Sequence, residues 1–161
     1  MSGELTVTSD YTVTSTTDTG SLVLTNVEVG VVFWGSYWSS TSSPPNPTPA
    51  TFYQAIIGLV TGPYLTGCRQ YRGAGPGTMM GQWICDTTDP TSGYSESNIE
   101  TMLADLWKNN SSVPAPDSNH QRFYVVITPP GINSYDSGAV GRHTAASLNG
   151  TTYYHTVRSF L

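Results

Sequence analysis

Charged residues are scarce in this sequence, and lysine is nearly absent. Asp, Glu, Lys and Arg make up 11% of the 161 residues, the formal net charge is −5, and Lys108 is the single lysine. Soluble domains usually contain about 25% charged residues, so this surface must owe its polarity mainly to serine, threonine, glycine and tyrosine. Without a basic patch to neutralise phosphates, we expect no binding to nucleic acid or to anionic membranes.

Long apolar runs are also missing. No stretch approaches the roughly 20 apolar residues that a membrane-spanning helix needs, and the N-terminus lacks the basic start and apolar core of a signal peptide. A chain of 161 residues is long enough for one domain with a real core. We therefore predict a single domain over 1–161, without a membrane span, in which 1–20 is a Thr-rich β extension.

Complete catalytic motifs are missing as well. The chain has no His-Glu-x-x-His helix and no Gly-x-Ser-x-Gly elbow, and the glycine-rich run 73–77 lacks the lysine of a phosphate loop. A zinc hydrolase needs about three protein ligands and a carboxylate that accepts a proton from the bound water. The three histidines are His120, His143 and His155, and no Asp or Glu follows Asp136. We therefore expect no complete metal or nucleotide site.

Cysteine is limited to Cys68 and Cys85, which flank the glycine-rich centre of the chain. If 75–77 is the tip of a hairpin, the two cysteines oppose each other on antiparallel strands, with Cβ atoms roughly 4.5–5.5 Å apart. This favours a disulfide; two buried reduced thiols are the alternative. Sequons that are candidate glycosylation sites occur at Asn109, Asn110 and Asn149. A disulfide, glycosylation and low lysine content would all favour an extracellular or cell-surface location.

Hydrophobic periodicity predicts several strands. Residues 4–16 alternate apolar residues with threonine and serine, which is typical of a β-strand or ribbon with one polar face. The second half of 21–34 is nearly all apolar, as in a central strand that is covered on both faces. Further strands are predicted over 122–128 and 151–160.

Two amphipathic helices are predicted between these strands. Thr48 caps the first, with Pro49 at its first position, and Gly62 follows its end. The second begins at Ser97, which has the capping-box spacing to Glu100. Its apolar residues recur at helical spacing, at Ile99, Met102, Leu103, Leu106 and Trp107. Helices interleaved with strands predict an α/β fold in which two main helices cover a mixed β-sheet.

The dipeptide Asn149-Gly150 predicts a turn that brings two histidines near each other. In the resulting hairpin His143 opposes Thr156, so His143 and His155 differ by one register position and face opposite sides of the sheet. They are not expected to share a metal ion without a bulge.

Two carboxylates, Asp86 and Asp89, follow a predicted strand end. They would suit a glycosidase or a cation site, but the run Asp86-Thr-Thr-Asp89-Pro90 is also typical of a turn with local backbone hydrogen bonds, which we favour.

Several motifs are found in a particular order along the chain. They are Leu22–Val29, Phe33–Trp38, Tyr64-Leu65, Arg69–Gly73, the helix from Ser97, Pro116-Asp117, Tyr124–Val126 and Gly141–Thr144. This order resembles the bacterial and fungal, metallopeptidase-like branch of the EXORDIUM-like, phosphate-induced protein family. The resemblance covers about residues 21–158 and leaves out 1–20.

The resemblance implies a secreted or surface protein that is similar to the N-terminal half of a zincin-like metallopeptidase. In that branch the chain continues into a helix of the type His-Glu-x-x-Glu-Ala-x-Thr-Asp-Pro, which this sequence lacks. The family pattern carries over one candidate catalytic or metal-binding residue, His143, at a Gly-x-His position. The resemblance therefore implies zinc only in longer relatives, and a domain that is non-catalytic as given.

Two other functions are compatible with the sequence. Trp34 and Trp38 point the same way if they lie on one strand, and with Tyr37 they would form a stacking platform for a cell-wall or extracellular polysaccharide; packing in the core is the alternative. A structural role is also possible, in which a strand from 1–20 adds to the sheet edge of its own chain or of a neighbour and builds homo-oligomers or filaments.

Overall fold

The computed structural model describes residues 23–70, 72–135 and 141–158. Within these ranges the elements are, in chain order, β1 (Glu28–Trp34), a 3₁₀-helix (Ser36–Ser39), α1 (Pro49–Thr61), a second 3₁₀-helix (Pro63–Gln70), β2 (Thr78–Cys85), α2 (Glu96–Asn109), β3 (Arg122–Ile127), β4 (Gly141–Leu148) and β5 (Thr151–Arg158). The strand predicted over 4–16 lies outside the described residues.

The strands form one mixed sheet in the order β2-β1-β3-β5-β4. β1 pairs in parallel with β2 and β3, β3 pairs in parallel with β5, and β4 pairs antiparallel with β5. A mixed sheet with two helices confirms the predicted α/β fold class.

The two helices pack on opposite faces of this sheet. The connection from β1 to β2 through α1 runs one way across the sheet, and the connection from β2 to β3 through α2 runs back. Because such crossovers are right-handed, reversing the direction puts the next helix on the other face. Val31 and Phe33 pack with α1, whereas Val32 and Trp34 pack with α2. This is why β1 is nearly all apolar, as its predicted central position requires.

Helix α1 begins and ends as predicted. The Thr48 hydroxyl accepts a hydrogen bond from the Thr51 amide at 3.2 Å, Pro49 is the first helical residue, and Gly62 follows the last. Proline suits this position because its missing N–H would have no intrahelical partner there. In the part of the chain that the structure describes, no helix is both long and apolar enough to cross a membrane.

Helix α2 starts two residues earlier than predicted, and the prediction of Ser97 as its cap is wrong. Ser95 is the cap, and its backbone amide donates to the Asn98 side chain at 2.9 Å. The three-residue spacing of a capping box occurs twice, in Ser95 and Asn98 and in Ser97 and Glu100. The earlier pair forms the capping box. The predicted apolar residues of α2 are all buried.

The predicted hairpin around 75–77 is wrong. Cys68 lies in a 3₁₀-helix, and β2 pairs in parallel with β1. Cys85 is in register with Trp34 at the carboxyl end of β1, whereas Cys68 lines a pocket with Val27 and Val29 near the amino end. A rise of about 3.3 Å per residue puts these places roughly 15 Å apart, too far for a disulfide. Both thiols are free, so the structure contradicts the predicted disulfide.

The predicted β4–β5 hairpin is confirmed. Asn149 and Gly150 have φ angles of 51° and 80°, the left-handed pair that a type I′ turn needs. His143 opposes Thr156, as predicted from the position of the turn. Among the described strands, the hairpin places β4 at the edge of the sheet, and it fixes which side chains face α2.

Candidate functional site

The hairpin separates its two histidines, as predicted. His143 is exposed on β4, whereas His155 on β5 is only 1% exposed. His120 lies before β3, where its Nδ1 is 3.2 Å from the backbone oxygen of Thr152. Within residues 23–70, 72–135 and 141–158, no three His, Cys, Asp or Glu side chains are arranged to hold a metal ion. His143 is therefore not part of such a group among the described residues.

A pocket lies between the first turn of α2, the β4–β5 hairpin and the segment after β3. Its walls include Glu96 and Ile99 of α2, Arg142 and Thr144 of β4, His155 and Val157 of β5, and Ser134 and Tyr135 after β3. Open α/β sheets commonly bind ligands beyond the carboxyl ends of their strands, and the segment after β3 and the start of α2 lie at that edge. We call this candidate site the His155 pocket.

The imidazole of His155 is the buried polar group of this pocket. Neither ring nitrogen has a hydrogen-bond partner among the described residues, and Nε2 lies 4.0 Å from Oε1 of Glu100, too far for a direct hydrogen bond. Leaving such a group unpaired costs about 1–3 kcal/mol. The free space of the pocket is about 10 Å³, close to the least that one water molecule needs.

An ion pair and an exposed aromatic ring form the rim of the pocket. Nε of Arg142 lies 2.6 Å from Oε1 of Glu96, and Nη1 of Arg142 donates to the Tyr135 hydroxyl at 2.5 Å. The guanidinium carbon is 5.3 Å from the centre of the Tyr135 ring, which remains 55% exposed. The rim thus presents polar atoms and an aromatic ring that hold one another in place.

Burial sets the protonation state of His155. Removal from water lowers the pKa of His155 below its ordinary value of 6.5, and the carboxylate of Glu96 partly opposes this shift. Glu100 on α2, Arg142 on β4 and Tyr153 on β5 also face the imidazole or its pocket. His155 is therefore neutral at pH 7 and offers one N–H donor and one nitrogen acceptor.

We expect His155 to make the fold less stable in acid. Because its folded-state pKa is below 6.5, this contribution to stability is fully present above pH 6.5 and is lost as the pH falls below it. The loss is at most about 1.4 kcal/mol for each pH unit. Urea unfolding at pH 7.5 and pH 4.5 measures it, with His155→Leu as the reference that cannot titrate at this position.

The wild type should lose more stability than His155→Leu over this pH range, because both chains share all their other titrating groups. Equal losses in the two proteins would show that the pKa of His155 is not lowered.

The stacking platform predicted from Trp34, Tyr37 and Trp38 is not formed. Trp34 and Trp38 are 5% and 3% exposed. Trp34 packs in the core under α2, and Trp38 packs against Phe33 on the other face. Gly35 and the 3₁₀-helix that follows end the strand after Trp34, so the two indoles do not share a face. Core packing, the alternative reading, is correct for both.

The remaining polar candidates lie outside the His155 pocket. Asp86 and Asp89 are in a loop, as expected. Asp89 also contacts a residue that is distant in the sequence, because its two carboxylate oxygens accept hydrogen bonds from the amide and hydroxyl of Ser36 at 2.6 and 3.1 Å. Asn109 and Asn149 are exposed. The Asn110 side chain accepts a hydrogen bond from the Ser112 hydroxyl at 2.6 Å. Glycosylation of these asparagines stays a prediction.

Local patterns in the sequence do not point to Glu96, Arg142, Tyr135 or the buried position of His155. One signal was present: Tyr153, His155 and Val157 alternate along β5, and all three are buried, so the pattern placed the histidine on an apolar face. The other three residues come from separate segments that only the folded sheet brings together.

Comparisons of the chain with family models, with curated proteins and with solved structures found no match. The EXORDIUM-like resemblance therefore stays a prediction that depends on the motifs of the sequence.

Proposed function

We propose that this chain is a carbohydrate-binding domain and that the His155 pocket is its binding site. One observation carries the proposal: an imidazole that is 1% exposed, with no hydrogen-bond partner among the described residues, lines the pocket whose rim includes the exposed ring of Tyr135. Ligand sites characteristically combine apolar contact area with a few placed polar groups.

The chemistry of the pocket suits a sugar. A pyranose has an apolar C–H face, which packs on an aromatic ring, and a rim of hydroxyl groups that both donate and accept hydrogen bonds. Tyr135 supplies the ring, Glu96 an acceptor and Arg142 a donor. The neutral imidazole of His155 adds one donor and one acceptor to the pocket wall.

The charges of the site favour neutral or amino sugars. Arg142 is paired with Glu96, so no unpaired cation of the rim is left for a phosphate or a uronate. The chain as a whole has a net charge of −5, which repels acidic polysaccharides. We therefore propose an uncharged or cationic glycan as the ligand.

Replacing Tyr135 should weaken binding strongly. We expect Tyr135→Ala to lower the affinity about tenfold, because it removes the stacking surface and releases Arg142. Calorimetric titration with soluble tetrasaccharides of glucose, xylose, mannose and N-acetylglucosamine measures this. Tyr64→Ala is the matched control, since Tyr64 is 75% exposed but lies in the second 3₁₀-helix, away from the pocket.

The result would refute the proposal if no member of this panel binds, or if Tyr64→Ala and Tyr135→Ala weaken binding equally. A loss confined to Tyr135→Ala, with unchanged circular dichroism, supports it.

We further propose that the domain acts outside the cell, on cell-wall or extracellular polysaccharide. The low lysine content, the exposed sequons at Asn109 and Asn149, and the motifs of the EXORDIUM-like resemblance support this location. The free thiols of Cys68 and Cys85 give it no support.

A further inference from the structure

We infer that the β2 edge of the sheet is a dimerisation surface, on which β2 of a second copy of this chain pairs antiparallel. The surface consists of β2 and of α1, which lies along it. It is near the opposite edge of the sheet from the His155 pocket, so dimerisation goes beyond the proposed sugar binding and does not depend on it.

Helix α1 and strand β2 lie side by side and run in opposite directions. The Gly77 amide donates a hydrogen bond to the oxygen of Val60 at 2.9 Å, so the end of α1 lies beside the start of β2. Pro49, the first residue of α1, lines a cavity together with Gln82 and Ile84 near the end of β2. The helix and the strand therefore form one surface.

This surface is free of negative charge. None of the 11 carboxylate side chains lies in the range 29–85, where Arg69 and Arg72 are the only charged residues. A chain with a net charge of −5 repels its own copies, and the repulsion is weakest where carboxylates are absent. Leu59 of α1 and Ile84 of β2 are 53% and 37% exposed. An uncharged, partly apolar partner fits this surface, and the same surface of a second copy supplies one.

The backbone of β2 is open to pairing at its outer side. Among the described strands β2 forms one edge of the sheet, and it contains no charged residue or proline of the kind that usually prevents edge pairing. The Cys85 oxygen accepts from the amide of Gly35, which follows β1, at 2.7 Å. Because backbone groups alternate in direction along a strand, those of Ile84 and Gln82 point away from β1.

These two outward residues determine the register of the pairing. A bulge at Met80 limits the regular part of the edge to 81–85. In an antiparallel pair, opposed residues whose backbone groups face each other exchange two hydrogen bonds. Placing Gln82 of each copy opposite Ile84 of the other uses all the outward groups and puts Trp83 on the two-fold axis. This axis is perpendicular to the sheet, so both α1 helices lie on the same face.

The surface is large enough for a weak dimer. The eight residues of β2 extend over about 26 Å, and the sheet with α1 beside it is about 20 Å high. Each copy thus contributes roughly 500 Å², and the pair roughly 1,000 Å², near the lower limit for a specific interface. We therefore expect a dissociation constant in the micromolar range.

Analytical ultracentrifugation of the full chain from about 1 to 200 µM tests the dimer. Gln82→Lys and Ile84→Glu should each weaken it at least about tenfold, because each opposes a charge to an uncharged residue of the other copy. Gln82→Lys also brings the net charge closer to zero, so general repulsion cannot explain a loss. Ser147→Lys, at an exposed position of the β4 edge, is the control and should leave the dimer unchanged.

An equimolar mixture of the Gln82→Lys and Ile84→Glu chains should restore dimers, because the new ammonium group of one chain faces the new carboxylate of the other. Circular dichroism checks that both variants are folded, and the exposed position of Gln82 makes its substitution the safer of the two. A mixture that stays monomeric overturns the antiparallel pairing. The inference also fails if the wild type is monomeric throughout, or if Ser147→Lys weakens the dimer as much as Gln82→Lys does.

Hydrogen exchange of the Gln82 and Ile84 amides gives an independent readout. Both amides should become more protected as the protein concentration rises, since the second copy supplies their acceptors. Amides that stay unprotected in the dimer overturn the strand pairing. A monomer in which both amides are already protected overturns it as well, because another segment of the same chain then covers the edge.

Discussion

Gly77→Ala is expected to destabilise the fold by roughly 3 kcal/mol. A Cβ atom at this position would clash with the carbonyl oxygen and Cγ1 of Val27. The backbone there cannot easily move away, because the Gly77 amide donates to the oxygen of Val60 and the Thr78 amide donates to the oxygen of Val27, each at 2.9 Å. The close approach is what allows β2 to enter the sheet in parallel beside β1.

Urea unfolding followed by circular dichroism measures this loss, and Gly58→Ala is the matched control. Gly58 lies in α1 with nothing within 4 Å of an added Cβ, so alanine should stabilise the protein by up to about 1 kcal/mol through its helix propensity. A loss of less than about 1 kcal/mol for Gly77→Ala would contradict the parallel pairing of β2 with β1. It would support the hairpin predicted around 75–77, because the exposed tip of a hairpin tolerates a methyl group.

The second large effect is expected for Trp107→Ala, a loss of about 3–5 kcal/mol. Trp107 is 9% exposed, and its ring centre lies 5.0 Å from those of Tyr124 and Tyr153. It therefore joins α2 to β3 and β5 at once. Removing the indole leaves a cavity at the centre of this aromatic cluster, which the surrounding strands cannot close.

Two further variants test this explanation by the same unfolding experiment. Trp107→Phe keeps an aromatic ring in the cluster and should cost less than Trp107→Ala. Trp83→Ala removes an indole of the same size from the edge strand β2, where Trp83 is only partly buried, and should also cost less. A smaller loss for Trp107→Ala than for Trp83→Ala would contradict the assigned core.

Local signals in the sequence predicted the elements well where one residue pattern decides the outcome. The five apolar positions of α2, the Thr48-Pro49 start of α1 and the Asn149-Gly150 turn were all confirmed. Each depends on side chains within a few residues of one another, or on a periodicity that marks one buried face. The predicted cap of α2 is wrong because Ser95 and Ser97 each have a suitable polar residue three positions later. In the structure the Asn98 side chain accepts a hydrogen bond from the amide of Ser95.

Errors arose where a local pattern was used to infer a contact between distant segments. Glycine and proline at 75–77 are typical of a turn, but turn chemistry does not say which strand the next segment joins. β2 joins β1 in parallel, which places Cys68 and Cys85 at different ends of the sheet. Likewise the spacing of Trp34 and Trp38 predicts a shared face only if the strand continues, and Gly35, with φ of 114°, marks its end.

The sequence by itself determined the α/β class, the two amphipathic helices, the doubly covered strand β1 and the β4–β5 hairpin, because hydrophobic periodicity and short-range capping are local. Only the tertiary structure decided the order of the strands, the faces on which the helices pack and the composition of the His155 pocket. Glu96, Tyr135, Arg142 and His155 lie on four segments spread over some sixty residues, and no local pattern relates them. They meet because right-handed crossovers place α2 over β5, and that packing buries His155 beside Glu100.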